Sequence, residues 1–206
     1  MIKPGKISVT TILVALIGVL FCGMGVGINN MASLGNDSVG ILYDGFLNTF
    51  GLELSTASNV VNVALVVLLL FIGRRYVSLG TIIYLIPYGF CVSAGIAVAN
   101  VLRFSDSLAV SIMLAVLGSL ILCMGIALFI VIDIGVDPFT GVVLVLVDKL
   151  KKEYKFVKIG FDISCIIIGF LLGGKAGVVT LVLAVCLGPS IQFFVKLFTK
   201  LLVKKD

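Results

Sequence analysis

Apolar residues gather in six long runs, at about residues 7–32, 55–73, 79–102, 108–132, 156–172 and 178–202. Each is close to the ~20 residues that cross a bilayer as a helix. Polar breaks separate the runs: Arg74-Arg75 after the second, Arg103-Phe104-Ser105-Asp106-Ser107 after the third, and Gly173-Gly174-Lys175 after the fifth. Pro87 lies inside the third run and removes a backbone donor, which predicts a kink. Gly188-Pro189 lies in the middle of the sixth. Gly23 and Gly27 form a GxxxG pair in the first, a weak signal for close helix contact.

Two shorter segments break the pattern. After the first run comes Leu34-Gly35-Asn36-Asp37-Ser38-Val39-Gly40, and after the fourth comes Ile134-Gly135-Val136-Asp137-Pro138-Phe139-Thr140. In each, a glycine ends one helix, an aspartate follows, and a brief apolar segment begins. Asp137 before Pro138 is a good helix start, because the carboxylate caps free N–H groups and proline tolerates the first helical position. The apolar residues between 35 and 54 are too interrupted to span, so a short interfacial or re-entrant helix is predicted there, and its counterpart after Gly135.

The two segments belong to an internal repeat. Residues 12–73 align without a gap on 112–173, and Ile12, Ala15, Gly18, Leu20, Met24, Gly25, Gly35, Asp37, Glu53 and Gly73 each recur 100 positions later. A one-residue shift continues the register, pairing Thr81 with Thr180 and Gly89 with Gly188. Three spans per half force the second half to run upside down relative to the first. The predicted fold is therefore all-α: one integral membrane domain over residues 1–206, with six transmembrane helices as two inverted three-helix repeats (about 7–102 and 108–202). Each repeat carries a re-entrant or interfacial helix after its first span.

Composition agrees. The chain is 61% hydrophobic with a mean hydropathy of +1.30, above the roughly half-apolar soluble average. The net charge of +5 is a matter of orientation, not of nucleic-acid binding. With the N-terminus in the cytoplasm, 13 of the 15 basic residues fall at the cytoplasmic end, and only Arg103 and Lys175 lie outside. The positive-inside rule then puts both termini in the cytoplasm. The charged start at Lys3 and Lys6 precedes a long run without a small-residue cleavage site, so a retained first span is expected. The five cysteines lie in apolar runs without CxxC spacing, and there is no His, so no metal centre, cofactor or redox role is expected.

Gly135–Thr140 as Gly-x-Asp-Pro-Phe-Thr, Gly80-Thr81, the run Gly-Phe-Leu-Leu-Gly-Gly at 169–174 and Leu-Gly-Pro-Ser-Ile-Gln-Phe-Phe at 187–194 resemble the YczE/YyaS/YitT family of bacterial integral membrane proteins, over about residues 12–198. The resemblance implies a protein of the bacterial cytoplasmic membrane, of a kind described as transporters or membrane proteins. Ser38, Tyr84 and Ser93 depart from its pattern, where proline, asparagine and an acid are common.

Seven residues are candidates for binding a substrate or ion. Asp37 and Asp137, beside Gly35 and Gly135, read either as helix caps or as a symmetric pair of carboxylates. Asp133 sits at a helix C-terminus, where the dipole disfavours negative charge, and either meets the nearby lysines or shares a cation site with Asp137 across Gly135. Asn62 and Asp162 are repeat equivalents inside spans; Asp162 either pairs with Lys158 or acts in transport. Tyr43-Asp44 is similar to the acid of intramembrane aspartyl proteases but lacks a facing partner, and no nucleophile–base pair is placed, so no enzyme is expected. The expected function is transport of a small solute or ion, with the lipid bilayer as surroundings. The alternative is a non-transporting membrane partner, a substrate-binding subunit or helper, with the lysines of residues 149–158 read either as its docking patch or as contacts to anionic lipids; a homo-oligomer or a protein partner is compatible with either function.

Overall fold

A computed structural model describes residues 7–202, and every element among them is helical. The chain runs α1 (Val9–Ala32), α2 (Ser38–Phe50), α3 (Leu54–Ile72), a 3₁₀ turn (Arg74–Tyr76), α4 (Leu79–Leu85), α5 (Tyr88–Leu102), α6 (Leu108–Ile132), α7 (Pro138–Leu150), α8 (Tyr154–Leu171) and α9 (Val178–Leu202). Lys3, Lys6, Lys204 and Lys205, and with them the chain ends, lie outside the described residues.

The two predicted breaks have matching chemistry. α1 and α6 end on left-handed residues, Ser33 (φ 57°) and Asp133 (φ 49°). Gly35 and Gly135 follow at φ 101° and 147°, which L side chains rarely adopt. The Asp37 carboxylate then accepts the Gly40 N–H at 3.2 Å to start α2, and Asp137 accepts the Thr140 N–H at 3.0 Å to start α7. Both short helices stop on left-handed residues 100 positions apart, Gly51 and Lys151.

The predicted kink at Pro87 is a break: α4 and α5 meet at 41°. Asn59 of α3 answers it, since its Oδ1 accepts the Gly89 N–H at 3.0 Å and satisfies one donor freed at the start of α5. Pro189, by contrast, lies inside the continuous helix α9.

α1 and α6 form the centre and run antiparallel. Gly25 lies against Gly118 and Leu122 of α6, and Gly18 lies against Gly125 and Leu128. Gly18 and Gly118 are repeat equivalents, as are Gly25 and Gly125, so the crossing is self-complementary. Missing Cβ atoms let the backbones approach closely, which matters because apolar helices in lipid gain little from burial alone. The GxxxG pair faces elsewhere: Gly23 and Gly27 of α1 meet Cys91, Val92 and Ile96 of α5.

Other contacts repeat the same relation. α2 packs on α8, and its counterpart α7 packs on α3. The first break docks on the start of α9, where the Val179 N–H donates to Leu34 O at 3.0 Å. The second docks on the start of α4, where the Gly80 N–H donates to Ile134 O at 3.3 Å. Each half thus clasps the other through equivalent backbone atoms, a pseudo-symmetric arrangement.

α1, α3, α6 and α9 are long and apolar enough to cross a membrane, and the bent α4–α5 pair makes a fifth if taken as one span. The predicted sixth, α8, reaches span length but carries Lys155, Lys158 and Asp162. Side chains such as Phe71, Phe90 and Val101 are largely exposed on outer faces, as lipid-facing groups would be. The chain is an all-α, multi-pass membrane protein.

Candidate functional site

A cavity of about 400 Å³ lies between the two halves, the size of a small-molecule site. Asp37, Ser38 and Val39 at the start of α2 line it, and so do Gly135, Val136, Asp137, Phe139 and Thr140 around the start of α7. α1 adds Cys22 and Val26, α6 adds Leu122, Ile126, Phe129 and Ile130, and α9 adds Leu187 and Ile191. Tyr154 and Lys158 of α8 and the exposed Asp133 complete the wall.

One side is aromatic. Tyr84 and Tyr88 stack with ring centroids 4.8 Å apart and planes at 24°. Phe129 meets Tyr84 edge-on at 5.7 Å. Behind them, buried Tyr43 packs on Tyr88 and Phe139 and accepts a hydrogen bond from Asn62 Nδ2 at 2.8 Å. The Pro87 break positions this wall, since Tyr84 ends α4 and Tyr88 opens α5.

The two cap aspartates are not equivalent. Asp137 uses both oxygens on Thr140: Oδ1 accepts the backbone N–H, and Oδ2 accepts the hydroxyl at 2.5 Å. Asp37 has glycine at the corresponding place. Its Oδ1 accepts the Gly40 N–H, and among the described residues no side-chain hydroxyl bonds its Oδ2 as Thr140 does at Asp137. Next to it, the Ser38 hydroxyl donates to Asp162 at 2.8 Å, and Asp162 forms an ion pair with Lys158.

Four of the seven predicted residues therefore meet at one cavity: Asp37, Asp133, Gly135 and Asp137. Asp162 lies one layer back, bonded to two lining residues, and its pairing with Lys158 matches the structural alternative read from the sequence. Asn62 is fully buried behind the aromatic wall, supporting Tyr43 and bonded also to Ser58 O at 2.9 Å. Gly35 borders a separate polar cavity of about 190 Å³ with Asn29, Asn30, Asp44, Asn48 and Lys175. There Asp44 accepts from Asn30 Nδ2 at 3.1 Å and from the Lys175 N–H at 2.9 Å.

Sequence reasoning missed Ser38, Tyr84, Tyr88 and Tyr154. Tyr84 and Tyr88 stand four apart, a helical spacing, but no spacing rule links that pair with Ser38 and Tyr154, which the fold brings from separate helices. Thr140 was detectable, since a hydroxyl three residues after an N-cap aspartate is placed to return a bond to it.

An uncharacterized protein of Haemophilus influenzae is 24% identical over 191 residues, which cover 93% of this chain and 86% of that protein. No solved structure matches the chain. Residues 9–196, nearly the whole chain, match a family of unknown function, DUF6198. The chain belongs to that family, a multi-pass membrane protein with one mixed acidic and aromatic cavity where its two halves meet.

Proposed function

We propose that the protein is a small-solute or ion transporter of the bacterial cytoplasmic membrane. In this reading the halves are inverted three-span repeats, α8 is the sixth span, and α2 and α7 are re-entrant helices entering from opposite sides. Both termini are cytoplasmic, as the distribution of basic residues favours. The resemblance to the YczE/YyaS/YitT family points the same way. No chemical conversion of the solute is part of the proposal.

One observation carries it: helix starts 100 residues apart in the sequence border a single cavity of about 400 Å³. Broken helices meeting at a repeat interface are the arrangement by which transporters hold a solute while rigid halves rock around it. α8 tolerates its charges because Lys158 and Asp162 neutralise each other.

Uptake by the purified protein alone in liposomes, over a library of small solutes, tests the proposal. The expected result is solute-selective uptake that Leu187→Trp abolishes by filling the cavity. A folded protein that stays silent across the library would sink the transport reading and favour a partner-dependent helper.

A further inference from the structure

We infer that the cavity takes a small organic cation, a protonated amine or quaternary ammonium, and that Asp37 carries the ion pair with its head group. The inference rests on the cavity being the transport site, and it goes further by naming the ligand class and the residue.

Charge decides the sign. Asp37, Asp133 and Asp137 line the cavity, and the one cationic lining residue among the described residues, Lys158, is bound to Asp162. Two helix N-termini would ordinarily attract an anion. Here each is already occupied, because Asp37 and Asp137 accept from its free N–H groups. An incoming anion would meet carboxylates instead of open donors.

Geometry decides between a bare metal ion and an organic cation. Among the described residues, no three acids, cysteines or histidines come close enough together to hold a metal ion. Tyr84, Tyr88, Phe129 and Phe139 line the cavity with aromatic and apolar surface that a hydrated metal ion does not use. A substituted ammonium uses both, through cation–π attraction to the rings and apolar contact for its carbon body.

The repeat's asymmetry decides which carboxylate acts. The Thr140 hydroxyl bonds the second oxygen of Asp137, while among the described residues no side chain donates to the second oxygen of Asp37. Side-chain freedom therefore ranks Asp37 above Asp137.

The test is calorimetric titration of the full-length protein in nanodiscs with three probes of one shape: choline, the neutral 3,3-dimethylbutan-1-ol and the anion 3,3-dimethylbutanoate. Choline is expected to bind and the other two to fail. Asp37→Asn keeps the cap acceptor but removes the charge, and should weaken choline at least about thirtyfold. Asp137→Asn should weaken it by less than about tenfold, and Tyr88→Leu should weaken it measurably through the lost ring. Asp106→Asn, in the exposed 103–107 turn, serves as the charge-removal control. Binding of the alcohol or the acid in preference to choline, blocked by Leu187→Trp, would overturn the cation inference and leave the cavity as a binding site. Choline binding that survives Asp37→Asn would overturn the assignment to Asp37. If no probe binds to folded protein, the cation inference falls, while the transport-site reading stands or falls on the liposome uptake.

Discussion

Adding a single methyl group at the α1–α6 crossing should cost stability, while the same change elsewhere should add it. A Cβ built on Gly25 would come within 2.7 Å of Gly118 O and of Leu122 N and Cβ. Two of those atoms are backbone, so a helix must move. Overpacking of this kind costs ~1–3 kcal/mol. Replacing glycine by alanine in a helix returns up to ~1 kcal/mol. With the full return subtracted, the net for Gly25→Ala is a loss of about 0–2 kcal/mol, towards the upper end because backbone must move. Gly125→Ala should behave alike, since its Cβ would sit 2.5 Å from Cys22 N and 2.7 Å from Gly18 O. At Gly18 the nearest atoms are 3.2 Å and more away, and the two effects should nearly cancel. Gly160 of α8 has nothing within 4 Å, so Gly160→Ala should gain about 0.5–1 kcal/mol. Reversible unfolding in detergent micelles, by sodium dodecyl sulfate titration or steric trapping, reads all four. If Gly25→Ala proved as stable as Gly160→Ala, the close crossing of α1 and α6 would be wrong.

Three other expectations follow from single side chains. Asn59→Leu should lower stability by ~1–3 kcal/mol, because the Gly89 N–H at the Pro87 break loses its acceptor; an unchanged unfolding midpoint would refute that role. Asp137→Asn should stay within ~1 kcal/mol of the parent, because asparagine caps a helix about as well as aspartate, whereas Asp137→Ala should lose ~1 kcal/mol; equal losses in both would show that capping is not its structural role. Asp148, near the end of α7, is hydrogen-bonded by the Tyr76 hydroxyl and paired with Arg75, and these, in that order, hold its carboxyl below the ordinary aspartate value. A lowered value means the interaction is present above the ordinary carboxylate range and is lost as pH falls through the lowered value. The Asp148 carboxyl carbon should therefore titrate by NMR with a midpoint below ~3.9, and Tyr76→Phe should raise it; a midpoint at or above that figure would contradict the contact.

The helices and both breaks were legible because their signals are local. A glycine forced to positive φ, an aspartate one turn before an N–H and a proline at the first helical position are all written within seven residues. The repeat was legible because its register has no gap. The site was only half legible. Asp37, Gly135 and Asp137 stand at the breaks, but Tyr84 and Tyr88 reach the cavity only because α4 and α5 diverge at Pro87, and Asn59 holds that angle from another helix. The different standing of the two aspartates turned on one residue, glycine at 40 against threonine at 140. Asn62 and Asp162 share a repeat position yet do different work: one braces Tyr43 in the core, the other joins Ser38 to Lys158. Equal register constrains where a side chain points, not what the opposing helix offers it.

The central claim is that repeat-related breaks enter the membrane from opposite sides to build one site. Thr49 and Lys149 are repeat equivalents, both exposed near the ends of α2 and α7. Four native cysteines are buried and the fifth, Cys186, is exposed on α9, so Cys186→Ser serves as the parent for labelling with a membrane-impermeant maleimide. Added to intact cells, the reagent should label Thr49→Cys and spare Lys149→Cys. In inverted membrane vesicles the pattern should reverse. Labelling of both positions from the same side would contradict the inverted architecture and, with it, the site built on it.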